Sequence, residues 1–344
     1  MQPLREETAT TGNLCSPPCS DPAPEKLKTV FASSFLNRED IAPELQAAIN
    51  DPDNQVVIFD GPPGTEYISS KFQIRSNLIF HLMKGVTLRA KPGAFPNEGD
   101  MFIFANNVKN VTVSGEEGSV IRMNKSEYED TPDDGREAVR TTLVFYSSEN
   151  VTIKNIELRD SGGDGILITD SSSTQTRPSR NVLIDSVISD NSSRNALSVI
   201  SVDGLIIKNS VFSNTRPDKA ALKGPWDGID FEPNSPANIF KNILVENCLF
   251  YGNANKGIDL HFFRLNSSSE PVSLTLRNNI INDSEFAIIA FASEAPNNYK
   301  GLVKIEGVIT NSKRCKGGDA VLMREQVDPE TYQISGVLCQ ARSE

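Results

Sequence analysis

Carboxylates, a lysine and a histidine alternate with apolar residues in two short segments of the chain, 227–232 and 256–261. The titratable residues of these segments are Asp227, Asp230, Glu232, Lys256, Asp259 and His261. Such alternation is typical of a β-strand, so Asp230 and Glu232 share one face of the first segment, and Asp259 and His261 share the same face of the second. Asp227 and Lys256 begin the two strands. Paired carboxylates can act as general acid and as base or nucleophile, and carboxylate oxygens also bind hard cations such as Ca²⁺.

Both segments belong to a phrase that recurs about every thirty residues, a period typical of stacked supersecondary units. In each copy a polar or bulky residue precedes Gly or Ala, and a short alternating run follows. The copies are residues 164–168, 195–199, 227–231, 256–260 and 286–290. A second phrase interleaves with the first, at residues 150–155, 181–186, 204–209, 242–247 and 273–278. Equivalent residues of neighbouring copies are therefore predicted to lie roughly 4.8 Å apart, the spacing of adjacent strands.

This alignment places Asp230 and Asp259 at the same outward position of two neighbouring strands. Like charges that oppose each other on adjacent strands destabilise a sheet, so the pair indicates a functional site rather than a solvated surface. Glu232 and His261 occupy the next outward position, and Lys256 begins the second strand. We predict that Asp230, Asp259, His261 and Lys256 are catalytic.

Residues around these strands suit a sugar polymer. Trp226 is the only tryptophan, and its ring could stack on the CH groups of a sugar. Arg194 and Lys223 could contact acidic groups of a substrate, and with Glu232 they complete the predicted substrate-binding set. Polar insertions are expected to form loops around the same region, at residues 122–138, 215–226 and 262–271.

The connections between the phrases are too short for crossover helices, which excludes βαβ units. The period and the inward aliphatic residues predict an all-β fold, a right-handed parallel β-helix formed by residues 31–344 as a single domain. A helix within 40–50, with Leu45 and Ile49 on one stripe, would cap its N-terminal end. Residues 1–30 show no periodicity and are expected to form a flexible extension. A recurring polar residue would occupy one corner of successive coils in a left-handed conformation, at Asn155, Ser186, Asn209, Asn247 and Asn278.

Composition narrows the class of partner. The net charge of −11 argues against binding to nucleic acid or to an anionic membrane, although an acidic polymer could bind through cations. No apolar run is long enough to span a bilayer. The first residues lack the layout of a signal peptide, so the protein is either intracellular or a mature, secreted form, and the composition favours the second. We expect a monomer whose partner is a polysaccharide or oligosaccharide.

The five cysteines suggest an oxidising compartment. Cys15 and Cys19 lie close together near the N-terminus, and Cys315 and Cys339 lie near the C-terminus, so two local disulfides are expected. Cys248 falls on an inward position and is predicted to be a buried, free thiol. Reduced thiols throughout remain the alternative.

The capping helix with its Leu-Gln-Ala-Ala-Ile stretch, the coil period and the corner series resemble the pectin-lyase-like superfamily of right-handed parallel β-helices. That superfamily includes polysaccharide lyases, glycoside hydrolases, uronan epimerases, phage tailspikes and adhesins. The segment Trp226-Asp-Gly-Ile-Asp230 is similar to the Asp-Asp-Gly-x-Asp calcium motif of one pectate lyase family. It is also similar to the Asn-Thr-Asp-Gly-x-Asp strand of polygalacturonases, whose later Asp-Asp, Gly-His-Gly and Arg-x-Lys motifs are absent here.

We therefore expect a carbohydrate-active enzyme, foremost a polysaccharide lyase that cleaves a uronate-containing glycan by cation-assisted β-elimination. Lys256 or His261 would act as the base. The predicted Ca²⁺ ligands are Asp227, Asp230, Glu232 and Asp259. Two alternatives use the same face: a glycoside hydrolase with an acid and a base or nucleophile among Asp230, Asp259 and Glu232, or a β-helix that only binds glycans. A uronan epimerase is a further alternative.

Overall fold

Parallel strands in three sheets make up the fold. The computed structural model describes residues 27–36, 38–128, 139–171, 177–218, 224–291, 299–315, 320–323 and 329–340. Cys15, Cys19 and most of the expected flexible extension lie outside the described residues. The first described strand begins at Thr29, so the last residues of the segment predicted to be flexible already pair with the strand Val56–Phe59.

Each sheet runs along the length of the molecule, and its neighbouring strands are parallel. Sheet 1 contains Thr29–Phe31, Val56–Phe59, Leu78–Leu82, Lys109–Gly115, Glu149–Lys154, Ser179–Asp185, Val202–Lys208, Phe240–Glu246, Val272–Arg277, Gly301–Glu306 and Tyr332–Ser335. Sheet 2 contains Glu66–Ser69, Thr87–Ala90, Val120–Arg122, Glu157–Arg159, Ile188–Asp190, Val211–Ser213, Leu249–Tyr251, Ile280–Asn282, Ile309–Thr310 and Leu338–Cys339. Sheet 3 contains Phe72–Ile74, Met101–Asn106, Thr141–Tyr146, Ile166–Thr169, Leu197–Val199, Ile229–Phe231, Lys256–His261, Phe286–Phe291 and Val321–Met323.

From Val56 onward, successive strands of the chain pass through sheets 1, 2 and 3 in turn, and each complete turn adds one strand to every sheet. The molecule is therefore a right-handed parallel β-helix, as the repeat predicts. Inward residues of sheet 3 stack in register from coil to coil, with Leu197 beside Ile229 and Ile229 beside Ile258. All three are fully buried, so the core is a column of aliphatic side chains between the sheets.

The predicted corner residues adopt the left-handed conformation. Asn155, Ser186, Asn209, Asn247 and Asn278 have φ angles between 53° and 57°. A second left-handed series, absent from the prediction, lies at the start of the sheet 1 strands and includes Asn110, Asn150 and Asn181. There each side-chain amide donates to the amide oxygen of the preceding coil, at 3.0 Å from Asn150 to Asn110 and 3.1 Å from Asn181 to Asn150. Asparagine suits these corners because its side chain bonds locally and tolerates positive φ.

The helix Ala42–Asn50 covers the first strand of sheet 3, as predicted. Leu45 and Ile49 are fully buried against the core. The Gln46 side chain accepts a hydrogen bond from the Gln73 amide at 2.8 Å and donates to the Gln73 carbonyl at 3.1 Å. These two bonds replace the strand that would otherwise pair with Gln73, so the sheet edge is closed to other chains.

The other described helices are short: the α-helix Lys125–Tyr128 and the 3₁₀ turns Ala32–Phe35, Phe262–Arg264 and Pro329–Thr331. None of the helices in the described residues has the length and apolar character needed to cross a membrane. Cys315 and Cys339 form the predicted disulfide, with their Cα atoms 5.9 Å apart. Cys248 is free and buried, as predicted.

The corner conformation gives a direct test at Asn155, whose φ is 53° and whose side chain is exposed. Asn155→Ala should lower the free energy of unfolding by about 1 kcal/mol because an L-residue with a Cβ is strained at positive φ. Asn155→Gly, the matched control, should change it by only a few tenths of a kcal/mol because glycine adopts this conformation freely. Urea unfolding of both variants measures the difference, and equal losses would contradict the conformational explanation.

Candidate active site

Asp230 and Asp259 oppose each other on neighbouring strands of sheet 3. The register pairs Ser198 with Asp230, Asp230 with Asp259, and Asp259 with Ile289. The predicted alignment of the two aspartates is therefore present. Both side chains point away from the core, yet each residue is only 1% exposed. The sequence analysis placed them on an outer face and did not anticipate this burial.

A column of polar residues precedes the same strands and connects one coil to the next. Asp164 accepts a hydrogen bond from the Asn195 amide at 3.1 Å, and Asn195 accepts one from the Asp227 amide at 2.9 Å. Asp227 in turn accepts one from the Lys256 amide at 2.8 Å. Each side-chain oxygen thus satisfies the backbone donor of the equivalent residue in the next coil, which fixes the spacing of the coils beside the acid pair.

Lys256 lies between two of the buried carboxylates. Its Nζ atom is 2.9 Å from Asp227 Oδ2 and 2.7 Å from Asp259 Oδ2. Burial alone would lower the pKa of Lys256, but the charges of Asp227 and Asp259 outweigh it and raise the pKa above its ordinary value. Lys256 is therefore an ammonium that neutralises its neighbours, which disfavours the expectation that it serves as a base.

Asp230 has no such cation. Burial, together with the charges of Asp259 and Asp227, raises the pKa of Asp230 well above its usual range. Asp230 Oδ2 accepts a hydrogen bond from Asn195 Nδ2 at 3.2 Å. Its Oδ1 atom is buried and has no hydrogen-bond partner among the described residues, and the same holds for Asp259 Oδ1. Within the coupled group Asp230 is therefore the carboxyl that holds a proton most readily.

Asp227 and Asp259 differ from Asp230 in having the Lys256 ammonium beside them. Burial raises the pKa of Asp259, while contact with Lys256 opposes the shift. Burial likewise raises the pKa of Asp227, to about 8, against the charge of Lys256. Contact with the ammonium opposes the shift at both carboxyls without cancelling it, so the three carboxyls titrate together and Asp230, which lacks that contact, is the most readily protonated of them.

Glu232 and His261 lie at the outer side of the pair. His261 Nδ1 is 3.8 Å from Asp259 Oδ2, and one ring nitrogen lies within 4.8 Å of an oxygen of both Asp230 and Asp259. The His261 side chain is 36% exposed, so it stands between the buried carboxylates and solvent. Burial raises the pKa of the half-buried Glu232, although the charges of His261 and Arg194 oppose the shift.

The predicted substrate-binding residues have different surroundings. Arg194 is bound to Asp164, with Nη1 3.2 Å from Asp164 Oδ2. Trp226 is half-buried and has a φ of 52°, a conformation that is uncommon for a bulky residue. Its carbonyl accepts hydrogen bonds from Thr215 Oγ1 at 2.8 Å and from the Asn255 amide at 3.2 Å. Lys223 lies outside the described residues.

The sequence analysis did not assign a role to Asp164, Asn195 or Ser198. Asn195 Nδ2 bonds to Ser198 Oγ at 3.1 Å as well as to Asp230, so the three residues connect the acid pair to the preceding coils. The repeat did mark these residues: Asp164 and Asn195 occupy the position of Asp227 in earlier repeats, and Ser198 occupies that of Asp230. This signal was missed because Asn195 and Ser198 are neutral, and a single carboxylate at Asp164 does not by itself indicate chemistry.

The residues present do not fit the predicted Ca²⁺ site. Among the described residues, one group offers three potential metal ligands within 4.8 Å of one another: Asp230, Asp259 and His261. Asp227 and Glu232 are not part of that group, and one of its three donors is nitrogen, whereas calcium takes six to eight oxygen ligands. The ammonium of Lys256 already supplies a positive charge to Asp227 and Asp259.

Comparison with known proteins agrees with this architecture. The family model described as right-handed beta helix region matches residues 141–316, and the chain belongs to that family. No curated protein sequence matches the chain.

Solved structures with the same fold differ in function. Endo-xylogalacturonan hydrolase from Aspergillus tubingensis is 13% identical, with 88% of this chain and 90% of that chain covered and a TM-score of 0.56. The iota-carrageenase from A. fortis is 13% identical, with 79% and 66% covered and a TM-score of 0.56. The Streptococcus pneumoniae surface protein and adhesin PfbA is 13% identical, with 90% and 89% covered and a TM-score of 0.50. At these identities the likeness establishes the fold.

The raised pKa of Asp230 predicts how stability depends on pH. Because the folded protein binds this proton more tightly than the unfolded chain, whose reference pKa is 3.8, the carboxyl favours the folded state at acid pH. That contribution is lost as the pH rises through the folded-state pKa. Asp230→Asn, which stays neutral, should therefore melt close to the wild type near pH 4 and above it at pH 8.

Asp185 on sheet 1 provides a control of opposite sign. Hydrogen bonds from Asn209, Ser186 and Lys208 outweigh burial and lower the pKa of Asp185. Asp185→Asn should therefore lose stability at neutral pH and approach the wild type in acid. Thermal melts of both variants between pH 4 and pH 8 test the assignment, and an Asp230→Asn curve parallel to the wild type would show that Asp230 is ionised.

Proposed function

We propose that this protein is a glycoside hydrolase in which Asp230 is the general acid and Asp259 the nucleophile. The observation that carries the proposal is the pair of buried oxygens, Asp230 Oδ1 and Asp259 Oδ1, which lie on adjacent strands and have no hydrogen-bond partner in the described part of the chain. Unsatisfied buried carboxylate oxygens are costly, so they indicate atoms kept for a ligand or a reacting group. The hydrolases among the structures with this fold support the choice of reaction class.

The surroundings of the two carboxylates assign their roles. Two carboxyls whose environments push their pKa values apart form an acid and base pair. Asp230, which does not contact the Lys256 ammonium directly, would give its proton to the glycosidic oxygen of the leaving group. Asp259, whose ionised form is favoured by contact with Lys256, would attack the anomeric carbon, and water would then release the sugar while Asp230 takes a proton back.

The distance between the carboxylates favours retention of anomeric configuration. An oxygen of Asp230 and an oxygen of Asp259 lie within 4.8 Å of each other. Retaining enzymes have carboxyls about 5–5.5 Å apart, whereas inverting enzymes leave about 6.5–9.5 Å for a water molecule. Since both residues are 1% exposed, a glycan would have to displace side chains that cover them, and the partly exposed His261 lies beside the pair.

The lyase expected from the sequence remains the second candidate, with His261 as its base. It needs a group that neutralises the substrate carboxylate, and Lys256 is already engaged by Asp227 and Asp259. The hydrolase requires no additional cation. This difference places the hydrolase first.

Asp230→Asn and Asp259→Asn should each reduce hydrolysis of the best polysaccharide at least about a hundredfold, since each removes an acid–base or nucleophilic step. Asp185→Asn on sheet 1 is the matched control and should retain full activity. New reducing ends measure turnover across a polysaccharide panel, and NMR of the first product reports its anomeric configuration. A chelator should leave the rate unchanged.

Other outcomes separate the alternatives. A product with ultraviolet absorbance from a new double bond would identify a lyase. Micromolar glycan binding without turnover, unchanged in both Asn variants, would show that the protein only binds glycans. Inversion would reassign Asp259 from nucleophile to base.

A further inference from the structure

The outer face of sheet 3 carries very few cations. Its nine strands, all within the described residues, contain one lysine, Lys256, one histidine, His261, and no arginine. The strands of sheet 1 carry Lys109, Lys154, Arg180, Lys208, Lys241, Arg277 and Lys304, and those of sheet 2 carry Arg89, Arg122 and Arg159. The sheet that holds the acid pair thus differs in charge from the other two.

The basic side chains that touch the carboxylates of the site are already engaged. Arg194 contacts Asp164 at 3.2 Å, and Lys256 contacts Asp227 and Asp259 at 2.9 Å and 2.7 Å. An additional anion beside Asp259 would have to draw one of these cations away from its buried carboxylate. Breaking a buried ion pair is strongly unfavourable because it leaves an uncompensated charge.

The positions on either side of the acid pair along sheet 3 are neutral. In register with Asp230 and Asp259, the preceding coils present Leu167 and Ser198, and the following coil presents Ile289. Leu167 is partly exposed, whereas Ser198 and Ile289 are buried. An apolar side chain such as that of Leu167 suits the CH face of a neutral sugar, whereas a carboxylate or sulfate bound there would lose water without gaining a cation from the residues in register at these positions.

We propose that the glycan bound at the Asp230–Asp259 pair carries neutral sugars on both sides of the scissile bond, in place of the uronate expected from the sequence. This inference rests on the proposed hydrolase and specifies its substrate class. A substrate anion close to the Asp259 carboxylate would also be repelled, because two like charges a few ångströms apart interact unfavourably near a protein surface.

A pair of polymers with the same backbone isolates this effect. Polygalacturonan and its carboxyl-reduced form, a galactan made from the same sample, differ only at C6, where a hydroxymethyl group replaces the charged carboxylate; a second pair is an alginate and its carboxyl-reduced form. The reduced polymer of at least one pair should be hydrolysed with a kcat/KM about tenfold to a hundredfold higher, because the repulsion above is removed. Affinity electrophoresis of the Asp259→Asn variant on the same polymers measures binding apart from turnover.

The outcomes distinguish the two proposals. Hydrolysis of a native uronan at a rate equal to or above that of its reduced form would overturn the neutral-substrate inference and leave the hydrolase standing. If no polymer of a broad neutral and acidic panel is either hydrolysed or retarded, both proposals fail. An elimination product from the uronan would overturn both in favour of the lyase.

A substitution on the neutral face gives an independent check. Leu167→Arg should raise kcat/KM for the native uronan relative to the reduced polymer, because it places a cation two coils from Asp230. Leu167→Gln, a polar and uncharged replacement, should leave the ratio unchanged. Equal ratios in the two variants would show that the charge of this face does not set substrate choice.

Discussion

Parallel pairing in register between successive coils is the constraint on which the rest of the structure depends. Each outward residue lies beside its equivalent in the next coil, so Asp230 and Asp259 cannot avoid one another while both strands remain in sheet 3. Like charges in such positions destabilise a sheet. The same register also offsets part of this repulsion, because it places the Lys256 ammonium next to Asp227 of the preceding coil.

The polar column from Asp164 to Lys256 gives the site rigidity. Its side chains accept hydrogen bonds from backbone amides of the next coil, and Asn195 also holds Asp230. The position of the carboxylates is therefore determined by backbone that pairs on both sides, so the proposed hydrolysis would need little reorganisation of these groups. Such preorganised polar groups are the usual source of catalytic electrostatics.

Burial converts a group of similar carboxyls into distinct chemical species. Asp230 and Asp259 have equivalent positions and equal exposure, and they differ in contact with the ammonium of Lys256. In water that difference would change their pKa values little, whereas in a buried site it makes Asp230 bind a proton more readily than Asp259. Apart from Lys256 and His261, the described strands of sheet 3 carry no basic residue that could compete with Lys256 for these carboxylates.

The sequence by itself determined the coil, its left-handed asparagine corners, the capping helix and the opposition of Asp230 and Asp259. These features follow from local preference and from a repeat of fixed period, both of which are written in the order of residues. Only the tertiary structure decided the burial of the pair, the placement of Lys256 between Asp227 and Asp259, and the roles of Asp164 and Asn195. Those depend on the reach and direction of side chains across coils, which periodicity does not specify, since it fixes the face on which a residue lies and not the partner it contacts.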